Sequence, residues 1–474
     1  MSPPPTPRRV GLVVDHPLRD LHAITLLAHL LARRGHEAVL MPFYGQSLDL
    51  GLVRPDLLVL NYVRPANLAF VREARRRGVA LAVLDTEGGL LPEEGPTSAR
   101  GVAGFLRDSG LDEELALYMF WGEHLREQVV AGTRLAPERA VVTGCPRFDF
   151  AHALWADTGR QRASVLVNTN FPVVNAAHAH GTAIDHAALR SAGFDDDRIA
   201  ELVGMVGAVM RRMIEAVAAI ARARPDRRFV LRPHPFERAE PYREAFANLS
   251  NVVVRQEGSV WDALAEATCL LHVNCTTAIE AGLSGIAPIS LDFVNDPDML
   301  RLAALPTEVS HRAVTLEQAL DLIDRDGQLS PLVRPDLVTP YFGPADGRAT
   351  ERVAAAIASV AEEMEPVPPT TPAWGKPMAL DAMGRTIGSS AVETLRQMRR
   401  PARRSKALEE AEVARALRRF GAAQGVAPAR LRRVRTALGT ASLSLRVIPP
   451  PASANRPAEP ARLPAPADPL IAPA

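Results

Sequence analysis

From Val10 to Glu363, short apolar runs alternate with helix-like stretches, and the alternation stops near Asp157 and then starts again. Strands that alternate with helices of this length are the mark of strand–helix–strand units in a parallel sheet. The first series is VGLVVD (10–15), EAVLMPF (37–43), DLLVLNYV (56–63), VALAVLD (79–85), YMFWG (118–122) and AVVTG (140–144). Helices are expected between them over Arg19–Arg34, Asn67–Arg77 and His124–Ala131. The first of these carries Leu21, Ile24, Leu27, Ala28 and Leu31 on one face and closes at Gly35. The second series is SVLVNTN (164–170), FVLRPHP (229–235), NVVVRQ (251–256), CLLHVN (269–274) and APISLD (287–292), with helices near 198–223, 259–267, 276–284 and 349–363. The fold class this predicts is α/β, with two doubly wound Rossmann-like domains, 10–160 and 161–365, facing a cleft. Open α/β sheets bind ligands at the carboxyl ends of their strands, so two facing sheets pool their loops in that cleft.

The ends of the chain read differently. Residues 1–9 are Pro-rich and expected to be disordered. PVPPTTPAWGKP (366–377) reads as a linker, 378–446 as a basic helical extension and 447–474 as a disordered Pro/Ala tail. The net charge of +1 hides this division, because Thr394–Arg435 holds 13 Arg/Lys against 3 Glu and so carries +10, leaving −9 for the rest. Such a segment can dock on anionic lipid head groups, bind an acidic partner or nonspecific RNA, or stand as a solvated helix. No sequence-specific nucleic-acid binding is expected. The start of the chain has no apolar run of the secretory kind, and no window approaches the ~18 apolar residues of a membrane span. Three cysteines without metal-ligand spacing suit a reducing compartment. The expected location is cytoplasmic, with peripheral attachment to the inner face of the membrane through 394–435 left open.

Two motifs end strands of the second series. In LRPHPFE (231–237) each proline holds the residue before it extended, which presents Arg232 and His234 rigidly as a phosphate receptor. In HVNCTTAIEAGLSG (272–285) a strand gives way to a helix start, where Thr276 and Thr277 can donate to a phosphate and Glu280 can accept from a ribose diol. Either motif alone has a bland reading, as a proline-terminated strand or a capped helix. Together in one sheet they favour a nucleotide mono- or diphosphate. Neither GxGxxG nor GxxxxGK[ST] occurs, which argues against a dinucleotide enzyme or a P-loop kinase. Asn168 and Asn170 end another strand and can bind sugar hydroxyls. His178, His180 and His186 lie in a long loop without carboxylates at ligand spacing, and Asp195–Asp197 reads as a helix start. No metal site and no cofactor are therefore expected.

These segments, with DHPLRDL (15–21), LDTEGG (84–89), WGE (121–123), TGCPRFDF (143–150), VNTNFPVVN (167–175) and YFGPADG (341–347), resemble bacterial surface-carbohydrate biosynthesis proteins. The likeness is to members of two-domain GT-B glycosyltransferase architecture, including capsule Kdo-transferase-like and CDP-glycerol glycerophosphotransferase-like proteins. It spans about residues 10–360. It departs at Cys145, where Asn is expected. The resemblance implies that the second domain binds a nucleotide-sugar donor and that the first supplies the glycan or glycolipid acceptor side and the base. Glu87, before two glycines at a strand end, is the first choice for that base, and Asp20 or Asp15 the second, although Asp20 equally suits a helix start. Asp15 and Arg19 are placed near acceptor or donor sugar, and His234 beside the leaving phosphate. The expected activity is metal-independent glycosyl transfer. A CDP-polyol phosphotransferase, a UDP-sugar epimerase and a non-catalytic scaffold of polysaccharide assembly are the alternatives.

Overall fold

The computed structural model describes residues 7–44, 46–91, 98–152, 155, 161–177, 186, 190, 194–296, 304–364, 406–435 and 441–450. The first series forms strands β1 (Arg9–Val14), β2 (Glu37–Pro42), β3 (Leu57–Leu60), β4 (Ala80–Leu84), β5 (Leu117–Phe120) and β6 (Ala140–Val142). The second forms β7 (Ser164–Asn168), β8 (Arg228–Arg232), β9 (Val252–Val254), β10 (Ala267–His272) and β11 (Ala287–Leu291), and a strand outside that series, β12 (His311–Ala313), joins them at the sheet edge. Two more strands, β13 (Arg430–Arg435) and β14 (Ala441–Ile448), come from the C-terminal segment. The sheets run β13-β14-β2-β1-β3-β4-β5-β6 and β12-β11-β10-β7-β8-β9. Within β1–β12 every pairing is parallel. The strand order reverses between β1 and β3 in one sheet and between β7 and β10 in the other, and those two points open the crevices in which α/β sheets bind ligands. The chain is thus two Rossmann-like domains facing a cleft, a GT-B-like fold.

The chain does not end in the second domain. Its Pro335–Phe342 and Ala349–Glu363 helices cross back to the first. Glycines open the path: a Cβ on Gly122 would stand 2.2 Å from the Pro340 carbonyl oxygen, and one on Gly343, at φ +69°, would stand 2.4 Å from that of Trp121. The Cys145 N–H donates to the Phe342 carbonyl at 2.9 Å. Phe342 stacks on Phe148 and Trp121, with ring centres 4.8 and 5.9 Å away. Asp149 is buried and accepts from the N–H groups of Ala349 (2.9 Å) and Thr350 (2.7 Å), which starts the returning helix. TGCPRFDF and YFGPADG, nearly 200 residues apart, are two halves of this one joint. Replacing Asn by Cys145 spares the turn, because the backbone makes it.

The basic segment departs from expectation. Helix was expected over 378–446, yet the described part contains a helix, Glu410–Ala423, followed by the β13–β14 hairpin. β14 pairs antiparallel with β2, Leu445 opposite Leu40 and Val447 opposite Ala38. In SLSLRVI, buried Leu445 and Val447 flank a half-buried Arg446, a period of two obscured by the surrounding Ala/Arg composition. The helix buries Val413, Ala416, Leu417 and Phe420 against the Pro17–Arg33 helix. Arg415, Arg418, Arg430, Arg432 and Arg433 stay exposed. Strand also includes Arg9 and Val447–Ile448, which had been placed in the disordered ends. The 366–377 linker and 451–474 lie outside the described residues. Among the described residues no helix is long and apolar enough to cross a membrane.

Gly122→Ala tests the return path. It is expected to lower the unfolding free energy by about 1–3 kcal/mol, the usual cost of overpacking, measured by denaturant titration. An unchanged midpoint would show that the crossing tolerates a methyl group.

Candidate active site

A cavity of about 230 Å³ lies between the two sheets, walled by the loops after β1, β4, β5 and β6 on one side and after β7, β8 and β10 on the other. Phe342, on the returning helix, closes one end. Of the residues singled out in the sequence, Arg19, Glu87, Asn168, Asn170, Arg232, His234, Thr276, Thr277 and Glu280 line it. Asp15 and Asp20 do not.

On the second domain's wall, Arg232 lines the cavity and also holds a loop. Its Nη1 donates to the carbonyls of Gln256 (3.2 Å) and Glu257 (3.0 Å), and its Nη2 to that of Gly258 (2.7 Å), so it fixes the loop after β9. Among the described residues no carboxylate pairs with it within ion-pair distance, and burial pulls its guanidinium down to about 10. It is a buried cation that still favours an anion nearby. His234 is held by its neighbours. Its Nδ1 accepts the Phe236 N–H at 3.3 Å, and its own N–H donates to the Thr169 hydroxyl at 3.3 Å. Burial, reinforced by Arg19, lowers its pKa to about 4. With Nδ1 an acceptor, the neutral ring carries its proton on Nε2, which makes it a neutral donor rather than a cation. Glu237, in the same motif, anchors the turn: it accepts from the Phe171 N–H (2.7 Å), the Thr169 hydroxyl (2.9 Å) and the Tyr242 hydroxyl.

The β10 motif is also changed by the geometry. Its helix, Thr277–Leu283, has only seven residues, too few to present a useful dipole, and Thr276 makes no capping bond. The Thr277 hydroxyl accepts from the Cys275 thiol at 3.4 Å and bonds the Glu280 carboxylate, so it is engaged internally. Burial raises Glu280 against the opposing pull of Arg147 and Thr277. Thr276 is exposed at the cavity wall. Asn168 is buried with its Oδ1 unpartnered, and Asn170 is exposed.

The first domain's wall is a charge network centred on Arg19. Its Nε contacts Asp20 at 3.1 Å, its Nη2 Asp15 at 2.5 Å and its Nη1 Glu87 at 3.3 Å. Arg64 holds the other oxygen of Glu87 at 3.1 Å. Burial would raise Glu87, but Arg19 and Arg64 outweigh it and bring the carboxyl to about 2. Asp85 shapes the turn by accepting the Glu87 N–H at 2.9 Å. Asp20 is buried and accepts the His16 N–H at 3.1 Å, the helix-start role rather than a position facing the cavity. The sequence reading missed Arg147, which lines the cavity from TGCPRFDF. Its guanidinium lies 5.0 Å from the Trp121 ring centre, its Nε has no partner, and it faces Glu280 electrostatically. A cationic residue directly after the TGCP turn at a strand end was the available signal. Trp121 Nε1 is likewise buried without a partner.

Among the described residues no three His, Cys, Asp or Glu side chains gather as a metal site. His178 and His180 lie outside the described residues. No family model and no curated protein matches the sequence. Solved structures of similar fold include a UDP-N-acetylglucosamine 2-epimerase assigned in Listeria monocytogenes, at 14% identity over 76% of this chain and 98% of that one, with a TM-score of 0.46. They also include the S. aureus MnaA–UDP structure, at 10% identity over 75% and 98%, TM-score 0.47. A wall teichoic acid polymerase, TagF, matches at 10% identity over 75% and 90%, TM-score 0.47. Likenesses this distant carry no argument about activity, which rests on the site itself.

The neutral state of His234 has a measurable consequence. Between pH 5.5 and 8, His234→Gln, which keeps a donor, is expected to leave the pH dependence of phosphate-ligand affinity unchanged, whereas His234→Ala weakens affinity about tenfold at every pH. A loss of affinity on His234→Gln that grows as pH falls from 8 to 5.5 would instead show an imidazolium at work. Calorimetric titration distinguishes the two.

Proposed function

We propose that the chain is a glycosyltransferase of GT-B type that takes a sugar from a nucleotide-activated donor to a glycan or glycolipid acceptor of bacterial surface polysaccharide. The observation that carries this reading is the convergence of Arg19, Arg147 and Arg232, from both domains, on one cavity that also holds an unpartnered Asn168 oxygen and a neutral histidine donor. Buried guanidiniums converging on one cavity suit a phosphate or diphosphate, and the volume suits part of a nucleotide.

In this reading the donor phosphate lies between Arg147, Arg232 and His234 Nε2, with Thr276 at its edge and the ribose toward Glu280. The acceptor hydroxyl approaches from the first domain. Its oxygen bonds the anomeric carbon as the bond from that carbon to phosphate oxygen breaks, its proton passes to Glu87, and the nucleotide leaves with its new charge met by the two arginines. Glu87 is a weak base while Arg19 and Arg64 hold it. A phosphate that draws Arg19 away raises its basicity, so that donor binding prepares the base. Asn168, Asn170 and Arg19 contact the sugars, Asp15 orients Arg19, and no metal or cofactor takes part. The chain acts at the inner face of the membrane, which the exposed arginines of the helix 410–423 and β13 contact as lipid-facing charges.

Arg147→Met is a cleaner test than Arg232→Ala, since Arg232 also holds a loop. It is expected to weaken binding of UDP, CDP or GDP about tenfold, the cost of one charge-assisted contact, with an unchanged melting temperature in the absence of nucleotide. Wild-type protein that binds none of these, nor CMP, at millimolar concentration would end the reading. Glu87→Gln is expected to lower turnover about 100-fold or more while keeping nucleotide affinity. Donor consumption that needs no acceptor would point to an epimerase, transfer of a polyol phosphate to the phosphotransferase, and binding without turnover to a scaffold.

A further inference from the structure

Lys406 reaches the residues behind the cavity wall, Asp15 beside Arg19 and Phe236 beside His234, from a segment outside every motif of the two domains. Its ammonium lies 3.2 Å from Asp15 Oδ1, 4.4 Å from the ring centre of Phe43, 5.5 Å from that of Tyr44 and 5.4 Å from that of Phe236. Its side chain is only 12% exposed. Asp15 follows β1, and Phe43 and Tyr44 follow β2, so three of these partners belong to the first domain. Phe236 belongs to the second, within the turn that holds His234: its N–H donates to His234 Nδ1, and its ring packs edge-on against His16 at 5.0 Å. One ammonium therefore bridges the cleft. It stands four residues ahead of the first residue of the Glu410–Ala423 helix, which is itself packed on the Pro17–Arg33 helix.

The charge network gives this contact a second effect. Asp15, Asp20, Asp85 and Glu87 face the cations Arg19, Arg64 and Lys406. Lys406 takes one oxygen of Asp15 while Arg19 takes the other. Without it, Asp15 would rest on Arg19 alone, and the Phe236 ring would lose the cation that ties the His234 turn to the first domain. We infer that the C-terminal segment is a strap built into the active site, and that Lys406 is a positioning residue that fixes the His234 turn against the Asp15–Arg19–Glu87 wall. The active-site part of this inference rests on the function proposed above, whereas the strap itself does not.

The test uses the full chain and the variants K406M and K406R, with hydrogen exchange at 15–20 and 234–238, calorimetric UDP, CDP and GDP binding, and turnover. In K406M, exchange in both segments is expected to quicken about tenfold, the scale of one desolvated cation–π and ion-pair contact. Turnover is expected to fall about tenfold through kcat, with nucleotide affinity within threefold of wild type. K406R, which keeps the charge and can stack on the rings, is expected to restore both. Exchange in K406M equal to wild type overturns the strap, whatever the activity. Faster exchange in a protein whose wild type binds no nucleotide upholds the strap and removes the active-site reading instead.

Discussion

The return of the chain from the second sheet onto the first is the constraint on which the rest depends. Two parallel sheets, each complete in itself, would otherwise be held by the segment after β6 and by side-chain packing such as Phe150 on Trp261, contacts that can yield. The crossing at Pro340–Gly343 leaves no room for side chains at Gly122 and Gly343, and the Asp149 carboxylate captures the start of the helix beyond it. Backbone against backbone is a stiff contact, since neither side has rotamers to yield. Phe342 makes the joint part of the site, because the same ring that stacks on Phe148 and Trp121 forms a wall of the cavity. The joint between the domains and one wall of their cleft therefore share a side chain.

Within the cleft the two walls are built on opposite electrostatic plans. The first domain pairs its charges almost completely: Arg19 and Arg64 are spent on carboxylates, and Glu87 is held ionised between them. The second domain leaves a buried cation, Arg232, without a carboxylate, beside a neutral histidine donor and an amide oxygen with no partner. Arg147 stands between the two, supplied by the first domain and turned toward Glu280 of the second. An anion entering the cleft meets a buried positive charge and a histidine donor on one side and a network that must rearrange on the other. That asymmetry supports the proposal that the donor binds the second domain and the acceptor with its base the first.

Strands β1 to β11 were legible in the sequence because buried parallel strands leave continuous apolar runs; each expected run lies within two residues of the observed element at both ends, except those for β3 and β8, which end three residues beyond it. The cavity's position followed from those strands, since loops at their carboxyl ends must meet. What the sequence hid were side chains recruited over long distances. Arg147 stands in a motif that had been recognised, yet only the turn at Gly144 and the crossing at Phe342 put its guanidinium in the cavity. Lys406 sits in an Ala/Arg-rich stretch whose composition suggested a solvated helix, and β14 looked like tail because its alternation of Leu445, Arg446 and Val447 is short. In the reverse direction, Arg232 and Thr277 were read as free ligands, whereas each is spent on its own loop. Spacing along the chain cannot reveal which carbonyls a guanidinium will find.

The central claim is that one nucleotide is held by both domains across this cleft. Mapping hydrogen-exchange protection on the wild-type chain with saturating UDP, CDP or GDP tests it most directly. The account predicts slowed exchange on both walls at once, at 232–236 and 274–277 in the second domain and at 86–90 and 145–148 in the first. Protection confined to one domain, or found only away from these four segments, would contradict it.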